Sequence, residues 1–205
     1  MVIQAQHYGL HPDDLATVIN CLNNGKVVIL PTDTAYAFCC RSDQRSGYAT
    51  ICRLKHLDPR DALMSMVCRD LSQASAFFRQ WDTPIYRVLN KNLPGPFTFI
   101  LDSGNKAPSF LKHKRKTLGL RIPQHEVMER VMGQLDVPLM VSTVINDEDE
   151  IVGYFVDPED MISRFEKQIC CVVIDEHMMQ ESSTVVDMTG DEPVIIRQSK
   201  HELKF

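Results

Sequence analysis

The sequence lacks the common phosphate-binding and nucleophile motifs. No G-x-x-x-x-G-K-[ST], no G-x-G-x-x-G and no G-x-S-x-G occurs. Any nucleotide must therefore be held by a different loop and by scattered basic residues. C-x-x-C and H-E-x-x-H spacings are also missing, which argues against a zinc site. No apolar run approaches the ~20 residues that span a bilayer. The N-terminus shows no basic region leading into an apolar stretch, so no signal peptide is expected. Positive charge is not in excess: 22 Lys and Arg face 27 Asp and Glu, a formal charge of −5. That balance excludes a uniformly basic nucleic-acid binder but leaves room for a local basic face.

Cysteine does not suggest a disulfide framework either. The seven cysteines are an odd number, and Cys39-Cys40 and Cys170-Cys171 are adjacent pairs whose members point to opposite faces of a strand. Cys21, Cys52 and Cys68 sit among apolar neighbours and read as small core residues. The expectation is a reduced, cytoplasmic chain with no metal site and no tightly bound cofactor.

What is present suffices for one core. The chain has 205 residues, 44% hydrophobic and 24% charged, with no repeat or low-complexity linker, and reads as one domain over 1–205. Pro12-Asp13-Asp14 opens a helix whose Leu15, Val18, Ile19 and Leu22 share a face, and Gly25 ends it. Val27 to Leu30 reads as a strand buried on both faces, stopped by Pro31. Further strands are expected at 35–40, 63–68, 97–101, 117–122, 138–145, 172–174, 185–186 and 194–196. Helices are expected at 46–55, 71–78, 85–91, 126–135 and from Asp157-Pro158, with an acidic loop over 146–150. The alternation predicts an α/β fold with a mixed, twisted sheet.

A few residues could carry chemistry. Pro31-Thr32-Asp33-Thr34 follows a buried strand, where ligands of open α/β sheets bind, but it also fits an ordinary turn with local side-chain bonds. Lys55 ends a helix and serves either the helix dipole or a phosphate. Arg121 lies within the apolar alternation of Thr117 to Ile122. Its guanidinium suits a ligand carboxylate, or a structural ion pair with Asp33 or Glu126. The run Lys112-His113-Lys114-Arg115-Lys116 is a solvated loop or a contact for RNA phosphates, with few aromatics nearby for stacking. His7 and His11 straddle Tyr8-Gly9, and no ligand duty is expected of them.

Five segments occur in the order of the YrdC/YciO family: Pro31 to Tyr36, the helix ending in Lys55, Leu93-Pro94-Gly95-Pro96-Phe97-Thr98, Gly119-Leu120-Arg121-Ile122-Pro123 and Ser183-Thr184-Val185-Val186-Asp187. The resemblance runs from about residue 11 to Arg197. Cys52 to Leu57, Met66 to Ser72 and Lys114 to Gly119 are most similar to the YciO branch. The resemblance implies a twisted open sheet flanked by helices, with a concave, partly basic pocket. Catalytic members are threonylcarbamoyl-AMP synthases, which join L-threonine, bicarbonate and ATP in tRNA modification; the family is also described as binding nucleotides and double-stranded RNA. By resemblance, Thr32 and Arg121 hold the threonine end and Ser183 closes it. Lys55 and Arg197 face nucleotide phosphates, Thr117 lines the adenylate side, and Lys55 and Thr143 are the catalytic positions. Lys112, Lys114, Arg115 and Lys116 would meet RNA, either tRNA or double-stranded. ATP with magnesium would enter as substrate.

Two positions depart from the synthase pattern. Leu57 stands where Lys-x-Arg carries its arginine, with Arg53 or Arg60 as the available replacements. Ile145 stands where Ser-x-Asn carries its amide, and Asn146 would face the other way in a regular strand. The expected activity is therefore nucleotide and RNA binding, with weak synthesis or hydrolysis of threonylcarbamoyl-AMP as the alternative.

Overall fold

The computed structural model describes residues 1–7, 9–59, 62–111, 116–145, 155, 157–178 and 180–205. Its strands are β1 (Val2–Gln4), β2 (Val28–Leu30), β3 (Ala37–Arg41), β4 (Ser65–Val67), β5 (Phe97–Asp102), β6 (Thr117–Arg121), β7 (Leu139–Thr143), β8 (Cys171–Ile174), β9 (Thr184–Asp187) and β10 (Val194–Arg197). Its helices are α1 (Pro12–Asn23), α2 (Arg45–Leu54), α3 (Leu71–Ser75), α4 (Thr83–Asn92), α5 (Glu126–Gln134) and α6 (Pro158–Phe165). The strands join into one mixed sheet in the order β1-β8-β2-β3-β7-β4-β6-β5-β9-β10. The α/β reading with a mixed, twisted sheet is borne out. β1 has no counterpart in the sequence reading. The acidic loop expected over 146–150 and the residues Lys112 to Arg115 lie outside the described residues.

Period-two alternation assigns each side chain to a face. Phe38 and Cys40, Met66, Met140, Leu118 and Leu120, Phe97, Phe99 and Leu101, and Val186 form one face. It is covered by Tyr48, Ile51 and Cys52 of α2, Ala74 of α3, Val88 and Leu89 of α4, and Met161 and Phe165 of α6. On the other face, Val28, Leu30, Ala37, Cys39, Val67, Leu139, Val141, Cys171 and Val173 meet Val18 and Leu22 of α1 and Val127, Met128 and Val131 of α5. That second core stops at β4. On β6, β5 and β9 the same face carries half-buried side chains, at Thr117, Thr98, Ile100, Asp102, Val185 and Asp187, with Gly119 among them. One end of the sheet is therefore covered on one side only.

One expectation fails. Cys21 and Cys170, read as unbridged, form a disulfide that closes 149 residues of sequence. The cause is topological: β8 lies parallel to β2, and Cys170 N–H donates to the Val27 carbonyl, which brings the start of β8 beside the end of α1. No sequence spacing reports that approach. Cys52 and Cys68 are buried core residues, as read. No helix among the described residues is long and apolar enough to cross a membrane.

Candidate functional site on the open face of the sheet

The loop from Pro31 to Tyr36 runs along the border between the covered and open halves, and its shape is set by one hydroxyl. Thr32 Oγ1 donates to the Ala35 carbonyl at 2.7 Å and accepts the N–H groups of Thr34 and Ala35 at 3.2 Å. A hydroxyl has one proton and two lone pairs, so Thr32 spends its capacity inside the loop. It is buried, and Thr34 Oγ1 lies 3.1 Å from it. Tyr36 is also structural, since its hydroxyl donates to the Asp175 carbonyl and accepts the Asp175 N–H, each at 3.1 Å.

Arg121 ties this loop to the sheet. Its Nη2 donates to Asp33 Oδ1 at 2.6 Å and to Thr34 Oγ1 at 2.9 Å, and Gln124 N–H donates to Asp33 Oδ2 at 3.1 Å. Both side chains of the ion pair are 8% exposed. Of the two partners considered for Arg121, the structure places Asp33 against it.

Lys55 reaches the same region from α2. The helix ends in a Schellman arrangement, with Leu57 N–H on the Cys52 carbonyl and His56 N–H on the Arg53 carbonyl. His56 takes the left-handed position at φ 51°. The turn leaves Lys55 at the helix cap, and its Nζ donates to the Thr143 carbonyl at 2.6 Å. The next residue along, Val144, donates its N–H to the Tyr36 carbonyl. Lys55, Thr143 and the loop are thus linked. Leu57 and Ile145 are 37% and 46% exposed, so both departures from the synthase pattern face solvent. Arg53 is exposed on α2, and Arg60 lies outside the described residues.

Ser183 joins from the other side. Its hydroxyl lies 3.0 Å from Thr98 Oγ1, and Arg197 Nη2 donates to it at 3.0 Å while Arg197 Nε donates to its carbonyl at 3.0 Å. Two residues earlier, Glu181 N–H donates to the Thr34 carbonyl at 2.7 Å. Thr32, Arg121, Lys55, Thr143, Ser183 and Arg197 are therefore chained to one loop. Thr117 lies on the same face as Arg121, four residues before it on β6, at the far end of the open half. Lys116 beside it is exposed; Lys112, Lys114 and Arg115 lie outside the described residues.

Beyond Thr117 is a cavity of about 260 Å³ lined by Tyr48, Pro59, Ala62, Leu63, Met64, Ile100, Ser103, Ala107, Leu111, Thr117, Leu118, Gly119 and Asp187. Sequence reasoning did not single out Thr98, Asp187 or this cavity as site features. The alternation in Phe97 to Asp102 places Thr98 on the polar face, but only strand order shows that Ser183 meets it. A second, shallower cleft of about 700 Å³ lies behind the Asp33 loop, between Gln6, His7, His125, Asp175 and His177. There His125 caps α5, accepting the Val127 N–H at Nδ1, with Nε2 on Asp175 at 3.2 Å. Burial is the main influence on His125 and moves its pKa below the usual histidine value.

Cysteine chemistry is not supported here. Burial pushes the Cys39, Cys40 and Cys68 thiols up, and Cys171 up to about 11, so none forms a thiolate near neutrality. Among the described residues, no three His, Cys, Asp or Glu side chains converge as a metal site would require.

Comparison with known proteins bears on the family and the fold. The Sua5/YciO/YrdC family profile, described as "Telomere recombination", matches residues 20–199. The uncharacterised protein YciO of Escherichia coli K12 is 30% identical over 98% of both chains. Its crystal structure superposes with a TM-score of 0.88 over 98% of this chain and 97% of that one, at 27% identity. A threonylcarbamoyl-AMP synthase of Chromohalobacter salexigens is 23% identical over 64% of this chain and 70% of its own. Pyrococcus abyssi Sua5 in complex with L-threonine shares the fold, with a TM-score of 0.85 at 18% identity, over 96% of this chain and 57% of that one. The chain belongs to the Sua5/YciO/YrdC family.

Proposed function

We propose that the open face of the sheet binds an adenine nucleotide joined, or about to be joined, to a small amino acid, with L-threonine as the amino acid. The carrying observation is that one loop links an anion-seeking lysine, a buried arginine–carboxylate pair and a serine held by a second arginine. In this reading Lys55 and Arg197 are point charges for phosphates. Arg121 and Asp33 offer opposite charges to the carboxylate and ammonium of an amino acid. Ser183 closes that end, Thr117 lies toward the nucleoside, and Thr32 holds the loop in shape. The relatives named as threonylcarbamoyl-AMP synthases and the Sua5 complex with L-threonine support the ligand class.

The chemistry is that of an adenylate: attack of a threonine-derived carbamate on the α-phosphate of ATP with loss of pyrophosphate, or hydrolysis of the mixed anhydride so formed. Any magnesium ion enters with the triphosphate as part of the substrate. With Leu57 and Ile145 in place of a cation and an amide, synthesis is slowed by orders of magnitude, because stabilising phosphate charge is the main catalytic contribution in such transfers. The protein is incubated with L-threonine, bicarbonate and α-labelled ATP, and separately with threonylcarbamoyl-AMP. Slow adenylate formation or turnover is expected; neither product over hours at high enzyme concentration refutes the catalytic part.

A second reading places RNA, a tRNA or a duplex, on the same face. It is favoured by exposed Lys116 at the rim and by the basic run that precedes it. Phosphate contacts make such binding fall steeply with salt. Replacing Lys114 and Lys116 by Glu should weaken it strongly. RNA affinity unchanged from low to high salt defeats this reading.

A further inference from the structure

We infer that β10, the last strand of the sheet, is a docking edge for a second copy of this chain, the two β10 strands lying antiparallel about a two-fold axis. The inference is independent of what the open face binds.

β10 is bare on both faces and along its outer edge. It ends the strand order, with β9 as its one neighbour among the described residues, and all four of its residues are exposed. Val194, Ile195 and Ile196 are 59%, 42% and 58% exposed, a run of three β-branched aliphatics. Opposite residues of an antiparallel pair point to the same face. Val194, across from Asp187, and Arg197, across from Val185, therefore belong to the open face, and Ile195, across from Val186, to the other. A contiguous apolar run exposed in this way marks an interaction surface. Edge strands that stay unpaired usually carry a charge within such a run, because a free edge is a template for another strand. None stands between Pro193 and Arg197.

The charges at the two ends of the strand select the occupant. Asp191 and Glu192 precede it, are exposed, and have no side-chain partner among the described residues. Lys200 follows it, and although its Nζ lies 2.8 Å from Glu181 Oε2, the side chain stays 60% exposed. A strand acidic at its start and basic at its end complements an antiparallel copy of itself. Each copy's Asp191 and Glu192 come toward the other's Lys200, whereas a parallel mate would set like charge beside like. Pro193 has no N–H, and the register shifts between Ile195 and Arg197, so the ladder stays short and the aliphatic side chains carry the contact. The contact is isologous and closes on two copies. Its axis stands perpendicular to the sheet, so both open faces turn the same way, and Arg197, which holds Ser183, lies on the strand at the joint. One short strand from each copy buries less than the ~1,200 Å² of a standard interface, so the expected dissociation constant is on the order of 10 µM.

Sedimentation velocity on the full chain, from about 1 to about 100 µM, tests this. The mass of the wild type should rise from one chain toward two across that range. Ile195→Lys and Ile196→Lys, at exposed positions, should melt with the wild type yet stay monomeric throughout. Asp191→Lys/Glu192→Lys should weaken association about tenfold, and adding Lys200→Glu should restore part of it. A wild type that stays monomeric at the highest concentration overturns the inference, whatever else the edge might meet. So does association that survives both lysine substitutions, because another surface then carries it. Growth beyond two copies overturns the two-fold closure, and a triple variant no tighter than the double overturns the antiparallel arrangement. Should either lysine variant melt below the wild type, the charge series decides alone.

Discussion

Removing Asp33 should unfold the protein far more readily than its place in a surface loop suggests. The Arg121 Nη2–Asp33 Oδ1 contact is 2.6 Å, both side chains are 8% exposed, and Thr34 and Gln124 complete the network. Asp33→Ala leaves the guanidinium buried beside a vacated site. Breaking a buried pair by removing one partner costs about 3–5 kcal/mol. For a chain of this length each kcal/mol moves the melting temperature by about 2–4 °C, so a drop of about 6–20 °C is expected. Arg121→Met alone should lose a similar amount by stranding the carboxylate. The double variant should recover much of the loss, because a methionine packed beside an alanine leaves no charge uncompensated. Urea unfolding of the four proteins, with m unchanged, gives the coupling directly. If Asp33→Ala stays within about 1 kcal/mol of wild type, the ion pair does not hold the loop to the sheet, and the description of the site falls with it.

Other outcomes follow from particular contacts. Reducing the Cys21–Cys170 bridge should lower stability by about 5 kcal/mol, from the entropy of the 149-residue closure; Cys21→Ser should melt at the reduced protein's temperature and ignore reductant, and a wild-type melt indifferent to reductant would show that the bridge is not formed. His56→Gly should raise stability by up to about 1 kcal/mol, since glycine takes the left-handed position at φ 51° without strain; a fall in the urea midpoint would mean that the His56 side chain matters more than its backbone. Burial lowers the pKa of His125 in the folded state below 6.5, so below that pH the unfolded chain binds a proton the folded chain refuses. Its contribution to stability is complete above pH 6.5 and is lost as pH falls toward the folded value. His125→Asn, which keeps a helix cap, should flatten the fall of melting temperature as pH drops below 6.5; an unchanged slope would refute this.

The elements that were legible in the sequence are those whose pattern is local. α1 shows its apolar face, its Pro12 start and its Gly25 end, and four aliphatics in a row mark β2 as covered on both faces. The end of α2 at Lys55 was also legible, although its left-handed position holds a histidine where glycine is usual. Arg121 stood out as a charge within an apolar strand, and its partner Asp33 was one of two candidates 88 and 5 residues away. What no local pattern carries is strand order. The Cys21–Cys170 bridge and the Thr98–Ser183 contact both depend on which strands lie side by side. The open face is likewise a property of coverage. α1 and α5 reach only as far as β4, and nothing in the alternation of β5 or β6 says which side will be left bare.

If this bare side binds an adenine nucleotide and an amino acid, each ligand must raise the stability of the protein, and thermal unfolding with AMP, ATP with magnesium, and L-threonine measures that rise. A ligand at a hundred times its dissociation constant stabilises by about 2.7 kcal/mol, or about 5–10 °C here. Such shifts are expected for the nucleotides and for L-threonine, with Lys55→Ala and Arg197→Ala losing most of the nucleotide shift. Melting temperatures unmoved by all three ligands at millimolar concentration would contradict it.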